Sequence, residues 1–270
     1  MTGPSKATLD REPEGPAARL HVGTSGWHYE HWLGRFYPEE LPKARWLAHY
    51  AAHFQTAEIN NSFYGMPSAA TLASWREQVP EGFIFAAKAH RFITHMKKLK
   101  DTEASVARML ERFDVLGDTL GPILFQLPPR WHLDHERLIT FLRTLPSGYR
   151  YAFEFRDGTW FEPSVYDALA EHGAAFCIYH LAGRQSPKVV TADFVYVRLH
   201  GPGGAYQGRY GTRGLRPWVR DCLDWLEAGR EVFVYFDNDE RAYAVADALE
   251  LNRRLTSALA PASAERMGAA

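Results

Sequence analysis

Eight short runs of apolar, β-branched and aromatic residues recur along the chain, at 20–24, 56–60, 83–88, 122–127, 151–155, 175–179, 194–199 and 232–236. Longer stretches with helical spacing lie between or after them, at 43–54, 68–78, 102–116, 135–144, 164–171, 217–228 and 241–255. That rhythm reads as repeated βα units, with a helix expected before each strand from the second to the eighth. Parallel strands joined by right-handed helical crossovers close naturally into a barrel, which leaves no edge exposed; an open doubly wound sheet is the rival arrangement. The fold class expected is therefore α/β, a single (β/α)₈ TIM-type barrel over 20–259. A chain of 270 residues, 46% of them hydrophobic, is long enough to bury such a core in one domain. Residues 1–19 read as a flexible polar leader and 260–270 as a flexible tail.

Side chains along a strand alternate faces, so the polar residues sort by parity. In 151–156, Tyr151, Phe153 and Phe155 take the helix side, which turns Glu154 and Arg156 toward the barrel axis. The same rule sends Arg198 and His200 inward against Val195, Val197 and Leu199. It sends Glu58, Asn60 and Ser62 inward against Ala57 and Ile59, and Lys88 inward against Phe83, Phe85 and Ala87. All fall late in their strands, at the C-terminal mouth where barrel enzymes keep their chemistry. With Asp237, the ring offers three acids, Glu58, Glu154 and Asp237, against Lys88, Arg156 and Arg198. A buried charge is costly without a partner, so the balance implies a paired network, and the pairs hold either a ligand or one another.

Trp27, Tyr29, Trp32, Phe63, Tyr64, Trp160, Tyr206 and Tyr210 lie just beyond strand ends. They read either as walls for a ring-shaped ligand or as caps on the barrel core. The glycine-rich stretch 201–211 follows the seventh strand, where barrels often bind phosphate, and Arg198, His200 and Arg209 offer positive charge there. His95, His180 and His200 lack the spacing of a metal-ligand motif, and no metal is expected. Lys97, Lys98 and Lys100, with Arg130, Trp131 and His132, combine basic and aromatic character on loops and admit contact with a nucleic-acid backbone. Against that, 31 Lys and Arg meet 32 Asp and Glu, so the chain offers no global attraction to nucleic acid or an acidic membrane. Cys177 and Cys222 sit in hydrophobic segments without metal-ligand spacing, which suits a reducing cytoplasm, and no apolar run approaches the length of a membrane span.

Ordered motifs along the chain resemble those of the YecE-like family of uncharacterised proteins. They begin with Gly23-Thr24-Ser25-Gly26-Trp27 with Tyr29 and Trp32, Phe36-Tyr37-Pro38, and Glu58-Ile59-Asn60-Asn61-Ser62-Phe63-Tyr64. They continue with Lys88, Ile93-Thr94-His95, Leu120 to Pro129, Glu154-Phe155-Arg156 with Trp160, Tyr196 to Gly201, and Tyr206 to Tyr210. The resemblance covers nearly everything from Leu20 to Leu251 and implies a TIM barrel, while supplying no reaction. The chain departs from the family pattern at Tyr179-His180, where an acidic residue is expected, and at Phe236-Asp237-Asn238, where Phe-Asn-Asn is expected.

The leading functional expectation is an enzyme using acid/base chemistry, without a redox cofactor, on a small polar or anionic molecule such as a phosphorylated sugar, sugar acid or nucleotide fragment. Glu58, Glu154, Lys88 and His200 are the candidate catalytic residues. The candidate ligand contacts are Trp27, Asn60, Tyr64, His95, Gln126, Arg156, Trp160, Arg198, Tyr206, Tyr210, Asp237 and Asn238. The rival classes are a nucleic-acid-binding protein or repair nuclease using the same mouth, and a non-catalytic metabolite sensor.

Overall fold

The computed structural model describes residues 15–267. Eight parallel strands form the barrel: β1 (Leu20–Thr24), β2 (Thr56–Ile59), β3 (Ile84–Lys88), β4 (Leu120–Gln126), β5 (Tyr151–Glu154), β6 (Ala175–Leu181), β7 (Phe194–Leu199) and β8 (Glu231–Phe236). They pair in the order β1-β8-β7-β6-β5-β4-β3-β2. The remaining seam, β1 to β2, closes through a bridge between Ser25 and Glu58, with the Gly26 amide donating to the Glu58 carbonyl at 2.9 Å. Close approach of these two strands needs a glycine, because a Cβ on Gly23 would lie 2.2 Å from the Thr56 carbonyl oxygen.

Alternation divides the core into two layers. Ala86, Leu124, Ala152, Cys177, Tyr196 and Tyr235 fill the barrel interior. Phe85, Phe125, Phe153, Phe176, Val197 and Val234 face outward into the larger layer under the helices. Both cysteines are buried and free.

The helices are α1 (Trp46–Ala51), α2 (Ala69–Gln78), α3 (Glu103–Phe113), α4 (His135–Thr144), α5 (Pro163–Glu171), α6 (Gly211–Glu227) and α7 (Tyr243–Met267). Local sequence fixes several starts. Ser68 caps α2 by accepting from the Thr71 amide at 3.0 Å, and Asp134 caps α4 by accepting from the Arg137 amide at 3.1 Å. Two departures from the sequence reading have physical causes. No helix precedes β7; the chain turns at Ala182 and Gly183, both with positive φ, and Arg184–Gln185 pairs antiparallel with β6. Helix α6 begins six residues before Pro217, because the buried Asp247 carboxylate accepts from the amides of Tyr210 and Gly211 at 2.8 and 3.0 Å and caps the helix ahead of the proline.

Helix α7 runs to Met267, past the point where the sequence reading places the start of a tail; residues 1–14 of the expected leader and 268–270 lie outside the described residues. Among the described residues no helix is long and apolar enough to cross a membrane.

Candidate functional site

Arg198 sits at the centre of the mouth, fully buried. Its Nε donates to Glu58 Oε2 at 2.9 Å and its Nη2 to Glu58 Oε1 at 2.7 Å, a two-pronged pair that a planar guanidinium makes and an ammonium does not. Nη1 donates to Glu154 Oε2 at 2.9 Å, and Nη2 also reaches Asp237 Oδ2 at 3.3 Å. Glu58 accepts further from Ser25 Oγ and, at 2.7 Å, from the Tyr196 hydroxyl. Each Glu58 oxygen therefore holds two donors, which is what a carboxylate with no exposed surface requires.

Arg156 extends the network outward. Its Nε donates to Glu154 Oε1 and its Nη2 to His200 Nε2 at 2.9 Å. Because His200 Nε2 faces two guanidinium donors, from Arg156 and from Arg198 at 3.3 Å, it accepts; the ring proton then sits on Nδ1, which donates to Asp237 Oδ2 at 2.9 Å. Burial alone would raise the Glu154 carboxyl, but Arg156 and Arg198 hold it well below the ordinary carboxylate range. Asp237 is likewise pushed up by burial and held low by the His200 hydrogen bond and Arg198.

Lys88 differs from all of these. Its residue is 7% exposed, and among the described residues its Nζ forms no hydrogen bond and no ion pair. The ammonium instead lies 4.4 Å from the ring centroid of Phe63. Burial, reinforced by Arg198 and only partly offset by Glu58, Glu154 and Asp237, lowers Lys88 to about 8. The main chain at Lys88 is tied to the turn after β2, where Ser62 Oγ donates to the Lys88 carbonyl at 2.6 Å.

The mouth thus divides in two. Along β7, β8 and the β1 end, Arg198, His200, Asp237, Ser25 and Tyr196 saturate one another together with Glu58. Along β2 to β5 stand groups with unused capacity among the described residues: Asn60, whose buried Oδ1 has no partner there, Lys88, Gln126, whose Nε2 makes a 3.3 Å bond to the neighbouring Leu127 carbonyl, and the Arg156 Nη1. Beyond β8 the buried Asn238 Oδ1 likewise has no partner among the described residues. His95 adjoins this half, with its ring 4.9 Å from Phe63. Burial, then Lys88, Arg91 and Arg156, lowers His95 to about 4, so the imidazole is neutral at neutral pH and its surroundings are cationic. Tyr64, 70% exposed, and Tyr206, 48% exposed, stand at the rim, and the Tyr206 ring meets His200 edge-on at 5.5 Å.

Four expected ligand contacts are engaged elsewhere. Trp27 packs edge-on against Trp75 at 5.0 Å in the helix-side core. Trp160 stacks on Phe155 at 4.8 Å and donates to the Trp131 carbonyl at 2.6 Å. The Tyr210 hydroxyl accepts from the Gly201 amide at 3.1 Å and contacts His180 Nδ1 at 2.9 Å, and Asn238 Nδ2 donates to the Gly208 carbonyl and Asp247. Tyr210 and Asn238 tether the 201–211 loop. The amides at the start of α6, which an anion would use, donate to Asp247, and Arg209 pairs with the same carboxylate at 3.5 Å. Two concavities lie away from the network: one of about 770 Å³ at the opposite end of the barrel, bordered by Tyr149, Arg150, Asp193 and Arg230, and one of about 420 Å³ beside His90, Phe92 and Met109. The network itself is filled by its own side chains, and at its edge Lys88, Arg156 and Asp237 retain some exposure.

Sequence parity passed over Ser25 and Tyr196. Tyr196 shares the inward parity of Arg198 two residues later, which was the available signal; Ser25 lies one residue past the end of β1.

Comparison with known proteins agrees with this architecture. A family model described as a protein of unknown function, DUF72, matches residues 21–267. UPF0759 protein YunF of Bacillus subtilis is 26% identical over 258 residues, which cover 82% of this chain and 89% of that protein. UPF0759 protein YecE of Escherichia coli is 29% identical over 153 residues, 53% of this chain and 50% of that protein. The crystal structure of a DUF72 family protein from Thermotoga maritima superposes with a TM-score of 0.80 at 26% identity, covering 88% of this chain and 99% of the other.

Proposed function

The chain belongs to the DUF72 family of proteins of unknown function, and from the geometry of its mouth we propose that it is an enzyme acting on a small anionic molecule bound against the β2 to β5 half. The observation that carries this reading is Lys88: a buried ammonium with no carboxylate or other acceptor within hydrogen-bond or ion-pair distance among the described residues, in a ring where the other charges are paired. A cation held this way costs stability, and an incoming carboxylate or phosphate oxygen supplies the missing partner. Arg156 Nη1, neutral His95, Asn60 and Gln126 surround the same space and orient the ligand, while Tyr206 and Tyr64 border it.

The chemistry assigned to the side chains follows from their hydrogen bonds. Glu58 and Glu154 are occupied by donors and act as positioning residues that fix Arg198 and Arg156, rather than as the general acid and base their residue type first indicates. His200 is held between Asp237 and two guanidinium groups. Lys88, lowered to about 8, exchanges a proton near neutral pH and is the acid/base group with a free face.

Thermal unfolding with panels of small carboxylates and phosphates tests the reading. A true ligand at a hundredfold excess over its Kd stabilises by about 2.7 kcal/mol, and Lys88→Met and Arg156→Gln remove the effect. No stabilisation by any such anion, or stabilisation that survives both substitutions, rejects it. The saturation of the other half supports a second reading, a sensor that binds without turnover; recovery of the bound anion unchanged after long incubation distinguishes it.

A further inference from the structure

Lys88 is the one buried lysine among the described residues. Lys43, Lys97, Lys98, Lys100 and Lys188 are exposed, and Lys43 and Lys188 are paired with Glu30 and Asp221. A lysine taken out of water, set near a second cation and given no carboxylate within ion-pair distance is the arrangement in which an amine becomes a nucleophile. Here the burial is against Phe63, the second cation is Arg198, and the amine retains a small exposed edge at the mouth.

We propose that Lys88 is a nucleophilic amine that forms an imine with the carbonyl carbon of a small aldehyde or keto acid held at the mouth. The inference rests on the β2 to β5 half being a ligand site and names the substrate class: a carbonyl compound bearing a carboxylate or phosphate. The anionic end meets Arg156 Nη1 beside His95, and the carbonyl end meets the lysine. The neutral amine attacks the carbonyl carbon, forming a C–N bond as the carbonyl π pair moves onto oxygen. Nitrogen gives up its protons, the oxygen leaves as one water molecule, and the nitrogen lone pair closes the C=N bond. Amine plus carbonyl gives imine plus water, and no oxidant or reductant enters. Once protonated, the imine carries the same single positive charge as the ammonium it replaces, so the balance of three acids against three bases around the ring is kept.

The full chain is incubated at neutral pH with glyoxylate or pyruvate and sodium cyanoborohydride, which reduces an imine to a stable secondary amine, and the adduct is located by intact mass and peptide mapping. Lys88 is expected to be labelled at least ~tenfold faster than the exposed lysines, because a lowered pKa leaves more neutral amine. Lys88→Arg removes that adduct, Arg156→Gln slows it with the amine intact, and malonate, an anion without an aldehyde or ketone carbonyl, slows it in the unsubstituted chain. Labelling spread evenly over the exposed lysines, with Lys88 no faster, overturns the inference. If malonate stabilises the fold but Lys88 forms no adduct, imine formation is rejected and the anion site stands; if neither occurs, both readings fall.

Discussion

Arg198 and Glu58 meet edge to edge at the barrel centre, through Nε to Oε2 at 2.9 Å and Nη2 to Oε1 at 2.7 Å, with neither side chain reaching solvent. The pair joins β7 to β2 across the interior, and Glu154 and Asp237 attach to the same guanidinium from β5 and the end of β8. Arg198→Lys keeps the charge and loses the fork, leaving buried carboxylates short of donors. The expected cost is about 3 to 5 kcal/mol, read as a lower urea midpoint. A variant within ~0.5 kcal/mol of the parent, the range of ordinary surface changes, shows that Arg198 does not hold the mouth together.

Tyr196 donates to Glu58 Oε2 from one layer below, at 2.7 Å. Removing that hydroxyl in Tyr196→Phe leaves a buried carboxylate with one donor fewer, at about 1 to 3 kcal/mol. Chemical unfolding gives the cost. A neutral substitution indicates that water or a rearranged Ser25 replaces the bond.

How much of this was legible beforehand depended on the period of the chain. In β2, β3, β5 and β7 the two-residue alternation is strict, so apolar neighbours such as Ile59, Phe85, Phe153 and Val197 turn Glu58, Lys88, Glu154 and Arg198 to the axis, and the structure brings them to one mouth. Beyond a strand end that period is lost. Trp27, Trp160, Tyr206 and Tyr210 all lie on loops that follow strands, yet three pack or tether and Tyr206 stands at the rim, because loop direction is set by tertiary contacts such as Asp247 with the Tyr210 amide. Nor does residue type show which members of a charged ring use up one another's hydrogen bonds; that Glu58 is saturated and Lys88 is not emerges only from distances.

Lys88 gives a pH dependence whose sign is fixed. Burial, reinforced by Arg198, lowers it to about 8, whereas an unfolded lysine titrates near ~10.4. Between these values the unfolded chain holds a proton that the folded chain has released, so the stability contributed through this residue rises with pH across the window. Below about 8 the ammonium is charged in both states and the folded chain bears the full burial penalty. Lys88→Met is therefore more stable than the parent at pH 7, and the gap narrows as pH rises from 8 toward 10. Paired urea titrations measure it; a less stable variant at pH 7, or a gap that ignores pH, opposes the assignment.

Asp247, on α7, holds the end of the 201–211 loop and the start of α6 through the amides of Tyr210 and Gly211, and also accepts from Asn238. Asp247→Ala frees these donors, and cleavage within 201–211 by a protease of broad specificity is expected to quicken while Arg198 and Glu58 stay paired. Unchanged cleavage shows that the loop is held by other contacts, such as Tyr206 with the His200 carbonyl.

The most direct measurement is the rate of Lys88 acetylation by trace acetic anhydride as a function of pH, followed by peptide mass spectrometry with the exposed lysines as internal standards. An unpaired, buried amine at the mouth gives a midpoint near pH 8, about two units below the standards. A midpoint coinciding with the standards would mean that Lys88 is an ordinary paired or solvated lysine, and the ligand site and its chemistry would lose their foundation.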